Sequence, residues 1–361
     1  MDFKRIASQF DLDGEVLSVE PYGCGHINTT YLVETNIRKY ILQRINTNLF
    51  KDVKRLMNNI TSVCAHLVQK IKLSGGDPER EALTVIYTKD GLPYLEVDGS
   101  YYRVYLFVVD SVAYQISPSI EVFYESAVAF GKFQNNLSDF PVEDIYEPIL
   151  NFHNTPNRLL NFEKALEADV KDRAKSVSAE IDFVLSRRDY CDRITRLLDS
   201  GEMPYRVTHN DTKLNNVLFD RDTGSALAVI DLDTIMKGSM CYDFGDSIRF
   251  GCNTASEDEV DLSKVNFSIE MYEEYVKGFV GALKQRMTRV EADNLAFSAI
   301  LMTYECGMRF LTDYLDGDVY FHTSREGHNL DRARTQFKLT ARVTKSVLIK
   351  ASNKNNFQKS L

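Results

Sequence analysis

The spacing of apolar residues changes partway along the chain, and this change constrains the fold more than any other feature. Before about residue 110, short alternating runs predict strands, with one helix between them over 51–70. The predicted strands span 16–20, 29–34, 39–43, 83–88, 93–97 and 101–109. Beyond them the period becomes helical, over 119–138, 158–175, 178–199, 268–285, 289–315 and 329–350. The sequence therefore predicts an α+β protein with an antiparallel-sheet lobe, 1–109, and a mainly helical lobe, 110–361.

A polar, turn-rich segment over 205–246 interrupts the predicted helices. It contains His209 and Asp211 in a His-x-Asp pattern, then Asn216 five positions after that Asp, and Asp231 at the end of an apolar strand. Asp211 and Asp231 are 231 − 211 = 20 residues apart. Transfer of a phosphoryl group from ATP to a hydroxyl needs an acceptor for the hydroxyl proton and oxygen ligands for Mg²⁺. We therefore expect Asp211 to act as catalytic base, and Asn216 and Asp231 to bind Mg²⁺.

Two neighbours of this pattern are expected to be structural. Asp243 begins an Asp-Phe-Gly tripeptide, which binds metal in protein kinases, but it lies 243 − 211 = 32 residues after the base. Since Asp231 already stands where the metal ligand belongs, we expect Asp243 to hold the catalytic loop through backbone hydrogen bonds. We expect His209 to support the same loop without transferring a proton.

A glycine-rich turn, Gly23-Cys24-Gly25-His26, lies between the first two predicted strands. Its glycines would let backbone N–H groups approach phosphate oxygens, although a plain hairpin turn explains them equally well. The sequence has no G-x-x-x-x-G-K-[ST] motif, which excludes a P-loop enzyme by pattern. We expect Gly23 and Gly25 to contact the nucleotide.

Charge and composition limit the classes of partner and the cellular location that we expect for the protein. The formal net charge is −9, which argues against a nucleic-acid partner. The longest apolar stretches are strand-sized, so no membrane partner is expected, and residues 1–10 do not resemble a signal peptide. The expected location is cytoplasmic.

With these residues in view, the chain resembles the aminoglycoside phosphotransferase and choline kinase superfamily, and within it the kinases that phosphorylate N-acetylhexosamines. The resemblance is carried by 20–31, 206–218, 228–251 and 305–321. It implies a protein-kinase-like two-lobed fold and ATP-dependent, Mg²⁺-dependent phosphorylation of the anomeric hydroxyl of N-acetylglucosamine or N-acetylgalactosamine.

The resemblance also implies that His26, Arg309 and Tyr320 lie near the sugar. Each has a plainer explanation. His26 fits a solvent-exposed loop, Arg309 fits an ion pair with Glu305 one helical turn earlier, and Tyr320 fits core packing.

One departure from the superfamily pattern concerns the phosphates. Many relatives carry a Lys or Arg on the third strand, paired with an acid on the following helix, but here Gln43 stands at that position. The predicted helix over 51–70 contains no Glu, and its one acid, Asp52, is at its start. We expect Gln43 to face the nucleotide, which leaves open what neutralises its phosphates. Two other functions also stay open, namely a kinase with another small hydroxyl acceptor (another sugar, an amino alcohol or an aminoglycoside) and a nucleotide-binding pseudokinase.

Overall fold

The computed structural model describes residues 2–23, 27–283 and 286–358, with side chains through residue 346. The α-helices are α1 (Phe3–Ala7), α2 (Val53–Leu73), α3 (Pro78–Glu81), α4 (Ile120–Asn136), α5 (Thr155–Ala168), α6 (Ser178–Leu185), α7 (Arg193–Asp199), α8 (Met240–Gly251), α9 (Ile269–Leu283), α10 (Arg289–Asp316) and α11 (His328–Gln358). The strands are β1 (Val16–Pro21), β2 (Thr29–Thr35), β3 (Lys39–Arg44), β4 (Val85–Ile86), β5 (Leu95–Val97), β6 (Ser100–Leu106), β7 (Ser111–Val112), β8 (Arg206–Thr208), β9 (Val217–Asp220), β10 (Ala226–Val229) and β11 (Met236–Gly238).

An antiparallel sheet forms the N-terminal lobe. Its order is β1-β2-β3-β6-β4, and β5 pairs with another part of β6. Gln43 on β3 lies directly opposite Arg103 on β6, so the two side chains emerge on the same face. Helix α2 covers the sheet, and Asp52 caps its first turn by accepting the N–H of Arg55. The position of Asp52 is thus explained by capping.

The C-terminal lobe is mainly helical. Helix α4 packs along α9, and α10 packs against α8, α11 and α5. Two small sheets, β10-β9-β7 and β11-β8, lie between this helical body and the N-terminal sheet and carry the polar segment identified above. The two-lobed, protein-kinase-like fold expected from the sequence is therefore confirmed.

Three element boundaries were predicted wrongly. The helix expected over 178–199 is two helices, because the Ser186 and Arg187 side chains both donate to the Phe183 carbonyl and compete with helix continuation. The helix expected over 158–175 ends at Ala168, where Asp169 turns left-handed at φ 36°. The strand expected over 83–88 is reduced to the two residues of β4.

Within the described ranges, no helix has the length and apolar character needed to cross a membrane.

Candidate active site

The catalytic loop follows β8 and is held from below by a buried carboxylate. Asp243, near the start of α8, is fully buried and accepts the backbone N–H groups of His209 at 2.9 Å and Asn210 at 2.8 Å. It also accepts the Gln134 side-chain amide at 2.7 Å. Burial raises the pKa of Asp243, while these hydrogen bonds and His209 act in the opposite direction. The expectation that Asp243 holds the loop through its backbone is confirmed.

The His209 ring is completely buried against the rings of Phe130 and Phe133, and its two nitrogens lie against backbone groups. Its Nε2 lies 2.9 Å from the carbonyl oxygen of Ile230, and its Nδ1 lies 3.3 Å from the backbone nitrogen of Asp211. A neutral ring satisfies both contacts if Nε2 carries the proton. His209 therefore links the loop to the segment that carries Asp231, as a structural group.

Asp211 opens into the cleft beside two polar partners. Its Oδ2 lies 3.1 Å from the ammonium nitrogen of Lys213 and 3.2 Å from the amide nitrogen of Asn216. Burial lowers the pKa of Lys213, but the nearby carboxylates, Asp211 first among them, outweigh it and leave the pKa raised. Lys213 therefore remains an ammonium group at neutral pH beside the expected base.

Asn216 and Asp231 are brought together by strand pairing. The Ile230 N–H donates to the Asn216 carbonyl at 2.9 Å, in continuation of the β9–β10 ladder. Asp231 follows in a left-handed conformation, φ 58°, which Asp tolerates better than most residues. The protein around the carboxylate limits its hydration, and this desolvation, followed by the Asp233 and Asp211 carboxylates, raises the pKa of Asp231 to about 6. The side chain itself still opens to solvent, so a cation can reach it.

The donor set at this point suits Mg²⁺. The Asn216 side chain directs its amide nitrogen at Asp211, and among the described residues its side-chain oxygen, Oδ1, accepts no hydrogen bond. That oxygen and the Asp231 carboxylate are hard ligands, which Mg²⁺ takes in small number before completing its shell with water and phosphate oxygens. No cluster of three or more His, Cys, Asp or Glu side chains forms a self-contained metal cage in the described chain. The site fits a metal that arrives with a nucleotide.

A buried arginine on β6, Arg103, lies directly opposite Gln43. Arg103 donates from Nε and Nη2 to the side-chain oxygen of Gln43, Oε1, at 3.0 and 2.8 Å. It also forms a two-pronged ion pair with Asp233, two residues after Asp231. The Gln43 amide nitrogen donates to Thr30 on β2 at 3.1 Å. Gln43 is thus part of a hydrogen-bonded network, and its contact with the nucleotide stays a prediction.

The glycine-rich turn is only partly described. Gly23 adopts φ 74°, which favours glycine, and no neighbouring heavy atom lies within 4 Å of the position a Cβ would take. Gly25 and His26 lie outside the described residues. Asn28, just beyond them, is buried and donates to Asp233 at 2.7 Å.

The expected sugar-binding residues on the helical lobe face an open cleft. Arg309 and Tyr320 line a cavity of about 510 Å³ together with Arg158, Lys164 and Asp316. Tyr320 is 57% exposed, so the core-packing explanation for it is wrong.

The ion-pair explanation for Arg309 is also wrong. The Glu305 carboxylate is buried and instead engages Thr155 and the Nδ1 of His153, the latter at 2.7 Å. Arg309 lies over the Phe152 ring, 5.2 Å from its centroid. His153 follows Phe152, and its Nε2 is 3.3 Å from the carbonyl of Asn210, the residue before Asp211. A short chain of contacts therefore connects Arg309 to the catalytic loop.

Three of these groups were missed from sequence. Lys213 had a local signal, a cation two residues after the base inside a polar loop. Arg103 and His153 had none, because their partners lie far away in the chain.

A family model described as "Phosphotransferase enzyme family" matches residues 18–275. Among solved structures, the chain is similar to a microcompartment-associated aminopropanol kinase, with 16% identity, TM-score 0.59, and 96% and 97% of the two chains covered. It is similar to a spectinomycin phosphotransferase solved with ADP and spectinomycin, with 12% identity, TM-score 0.55, and 96% and 97% covered. It is also similar to a choline kinase from Streptococcus pneumoniae, with 15% identity, TM-score 0.53, and 94% and 96% covered.

At these identities the solved structures establish the two-lobed fold, while the family model covers well over half of the chain. It includes the catalytic loop, both expected metal ligands and the segment that carries Arg103. The chain therefore belongs to the phosphotransferase enzyme family and is a small-molecule kinase.

Proposed function

We propose that this kinase transfers the γ-phosphoryl group of ATP to the anomeric hydroxyl of an N-acetylhexosamine, N-acetylglucosamine or N-acetylgalactosamine, and releases the sugar 1-phosphate. Support for ATP comes from the family and from relatives solved with ADP. Support for a sugar comes from the resemblance described above and from the charge of the cleft that Arg309 and Tyr320 line.

The observation that carries the acceptor assignment is a pair of arginines in that cleft. Arg158 donates only to the Phe152 carbonyl in the described chain, at 3.1 and 2.8 Å, and Arg309 lies on aromatic rings. Burial, and then the positive charge of Arg309, lower the pKa of Arg158. Two guanidinium groups that repel each other disfavour a cationic acceptor, whereas they donate well to hydroxyl and acetamido oxygens.

The catalytic loop supplies what such a transfer needs. Asp211 accepts a hydrogen bond from the attacking hydroxyl and takes its proton as the new oxygen–phosphorus bond forms and the bond from the γ-phosphorus to the β,γ-bridging oxygen breaks, which releases ADP. The anomeric hydroxyl is the most acidic on a sugar, so an ordinary carboxylate is an adequate base. Lys213, beside Asp211, places a positive charge where negative charge develops on the transferred group. Mg²⁺, held by Asn216 and Asp231, would neutralise the nucleotide phosphates.

A second acceptor class deserves a place in the test. Two carboxylates, Asp313 and Asp316, also line the cleft, and the exposed Asp316 is available to an amino alcohol or an aminoglycoside. The Asp313 oxygens already accept the N–H groups of 319–321, so a cationic acceptor would have to bind mainly Asp316 while facing both arginines.

The test is ATP consumption with a panel of acceptors, followed by phosphorus NMR of the product. We expect turnover with N-acetylhexosamines and a 1-phosphate product.

Asp211→Asn should lower the rate about 10²–10⁴-fold while nucleotide binding persists. Arg309→Met should raise the KM for the sugar far more than that for ATP. A 6-phosphate product, or turnover with choline, aminopropanol or an aminoglycoside but no hexosamine, would overturn the acceptor assignment.

A further inference from the structure

The Arg103 network, defined as Arg103, Gln43, Asp233 and Asn28, joins the two lobes at the edge of the phosphate site. Arg103 on β6 is 1% exposed, and Asp233 in the C-terminal lobe is 3% exposed. The two Asp233 oxygens accept both terminal nitrogens of Arg103, and Oδ2 also accepts the Asn28 amide. The two partners of the ion pair are 130 positions apart in the chain.

Each arm of the network ends on a group that the site uses. Asn28 lies between the glycine-rich turn and β2, and its side-chain oxygen, Oδ1, accepts the N–H of Asn46 at 3.0 Å. Asp233 follows the metal ligand Asp231 by two residues, within the same short turn. Gln43 occupies the β3 position that carries a cation in many relatives. The network therefore fixes the distance between the glycine-rich edge of the sheet and the metal-binding segment.

We propose that the Arg103–Asp233 pair is the positioning ion pair of this kinase, which replaces the missing pair between β3 and α2 and holds the two sides of the nucleotide phosphate site together. All the Arg103 donors are used within the protein, by Gln43, Asp233 and the Met57 sulfur. Arg103 therefore acts through Asp233 and Asn28, without a phosphate contact of its own. The inference rests on nucleotide use by the family and is independent of which acceptor the enzyme takes.

Substitutions at Arg103 and at Asp233 distinguish a positioning role of the ion pair from a purely electrostatic effect of its charges. Arg103→Met leaves the Asp233 carboxylate uncompensated and adds repulsion toward a polyphosphate. Asp233→Asn leaves Arg103 uncompensated and adds attraction, but it replaces an acceptor oxygen by a donor and loosens the same link. If only charge mattered, the two variants would shift nucleotide affinity in opposite directions. If positioning matters, both weaken it.

The experiment measures binding by calorimetry, without acceptor, of a non-hydrolysable ATP analogue with Mg²⁺, of ADP without Mg²⁺, and of adenosine. Arg206→Met and Glu291→Gln are matched controls, because Arg206 and Glu291 form an equally buried ion pair within the C-terminal lobe. Circular dichroism establishes that each variant is folded at the working temperature. Both network variants should weaken the ATP analogue and ADP about tenfold or more, and adenosine by less than about twofold.

Three results would overturn the proposal. The first is tighter nucleotide binding by Asp233→Asn, which would show that Arg103 affects binding through its charge alone. The second is a loss for Asp233→Asn that appears only with Mg²⁺, which would make Asp233 a metal ligand. The third is an equal loss of affinity for adenosine, or an equal loss of nucleotide affinity in the control variants. Either would show that the ion pair contributes only to the general stability of the fold. Since no acceptor is present, each result is independent of the sugar assignment.

Discussion

Among single residues, the Asp231 carboxylate opposes the stability of the nucleotide-free fold at neutral pH. Its carboxylate shares the cleft with those of Asp233 and Asp211, and its pKa rises to about 6. The folded state therefore binds this proton more tightly than the unfolded chain, where an Asp titrates near about 4. The stabilisation from the proton is complete below that value and is lost as pH rises through about 6. At neutral pH the ionised group lowers the free energy of unfolding.

Asp231→Asn should consequently stabilise the nucleotide-free protein at pH 7.5, and less so at pH 5. The gain should be on the order of 1 kcal/mol, because the side chain opens to solvent that screens its charge. Thermal unfolding at both pH values measures it, with Asp222→Asn, an exposed turn residue, as the control. A gain of equal size at both pH values, or a lower Tm at pH 7.5, would contradict the argument.

Between elements, α4 and α9 pack closely at Gly278. A Cβ added at Gly278 would lie 2.7 Å from the Tyr124 carbonyl oxygen and 2.9 Å from the Ala127 Cβ. One turn further along α9, Gly281 is exposed and would meet no atom within 4 Å. The two glycines therefore share a helix but differ in packing.

We expect opposite effects from alanine at these two positions. Gly278→Ala should lower the free energy of unfolding by about 1–3 kcal/mol, since backbone must move to admit the methyl group. Gly281→Ala should raise it by up to about 1 kcal/mol through helix propensity. Urea denaturation measures both. The helix-contact argument fails if Gly278→Ala is as stable as the parent protein.

On the scale of the whole molecule, one apolar cluster crosses from lobe to lobe. It contains Ile60 and Val63 of α2 together with Val207, Phe244 and Phe279 of the helical lobe. The buried Arg103 network crosses the same boundary. We therefore expect unfolding of either lobe to expose part of the apolar cluster that the two lobes share.

Calorimetry should accordingly show one unfolding transition, with equal calorimetric and van't Hoff enthalpies. Nucleotide with Mg²⁺ should raise the Tm of that single transition. At a nucleotide concentration of one hundred times the dissociation constant, the free energy of unfolding should increase by about 2.7 kcal/mol. Two resolved peaks, of which only one responds to nucleotide, would show that the lobes unfold independently.

The pattern of the catalytic loop could be identified in the sequence because it is local, while the chemical roles assigned to its residues stay predictions. Asp211, Asn216 and Asp231 lie within about twenty residues, and the apolar strands between them fix their spacing. The change of apolar period likewise determined a sheet lobe followed by a helical lobe. The roles of Asp243 and His209 followed from the same spacing, and the contacts confirm them.

Tertiary structure alone decided which groups surround that loop. Arg103 faces Gln43 because β3 pairs with β6, a register set by strands 60 positions apart. His153 meets Glu305 across 152 positions, which removes the ion pair that spacing on α10 suggested for Arg309. Local spacing specifies a backbone turn or a helix face, whereas strand register and lobe packing depend on the burial of the whole chain. The partner of a buried charge is therefore determined only when the chain has folded.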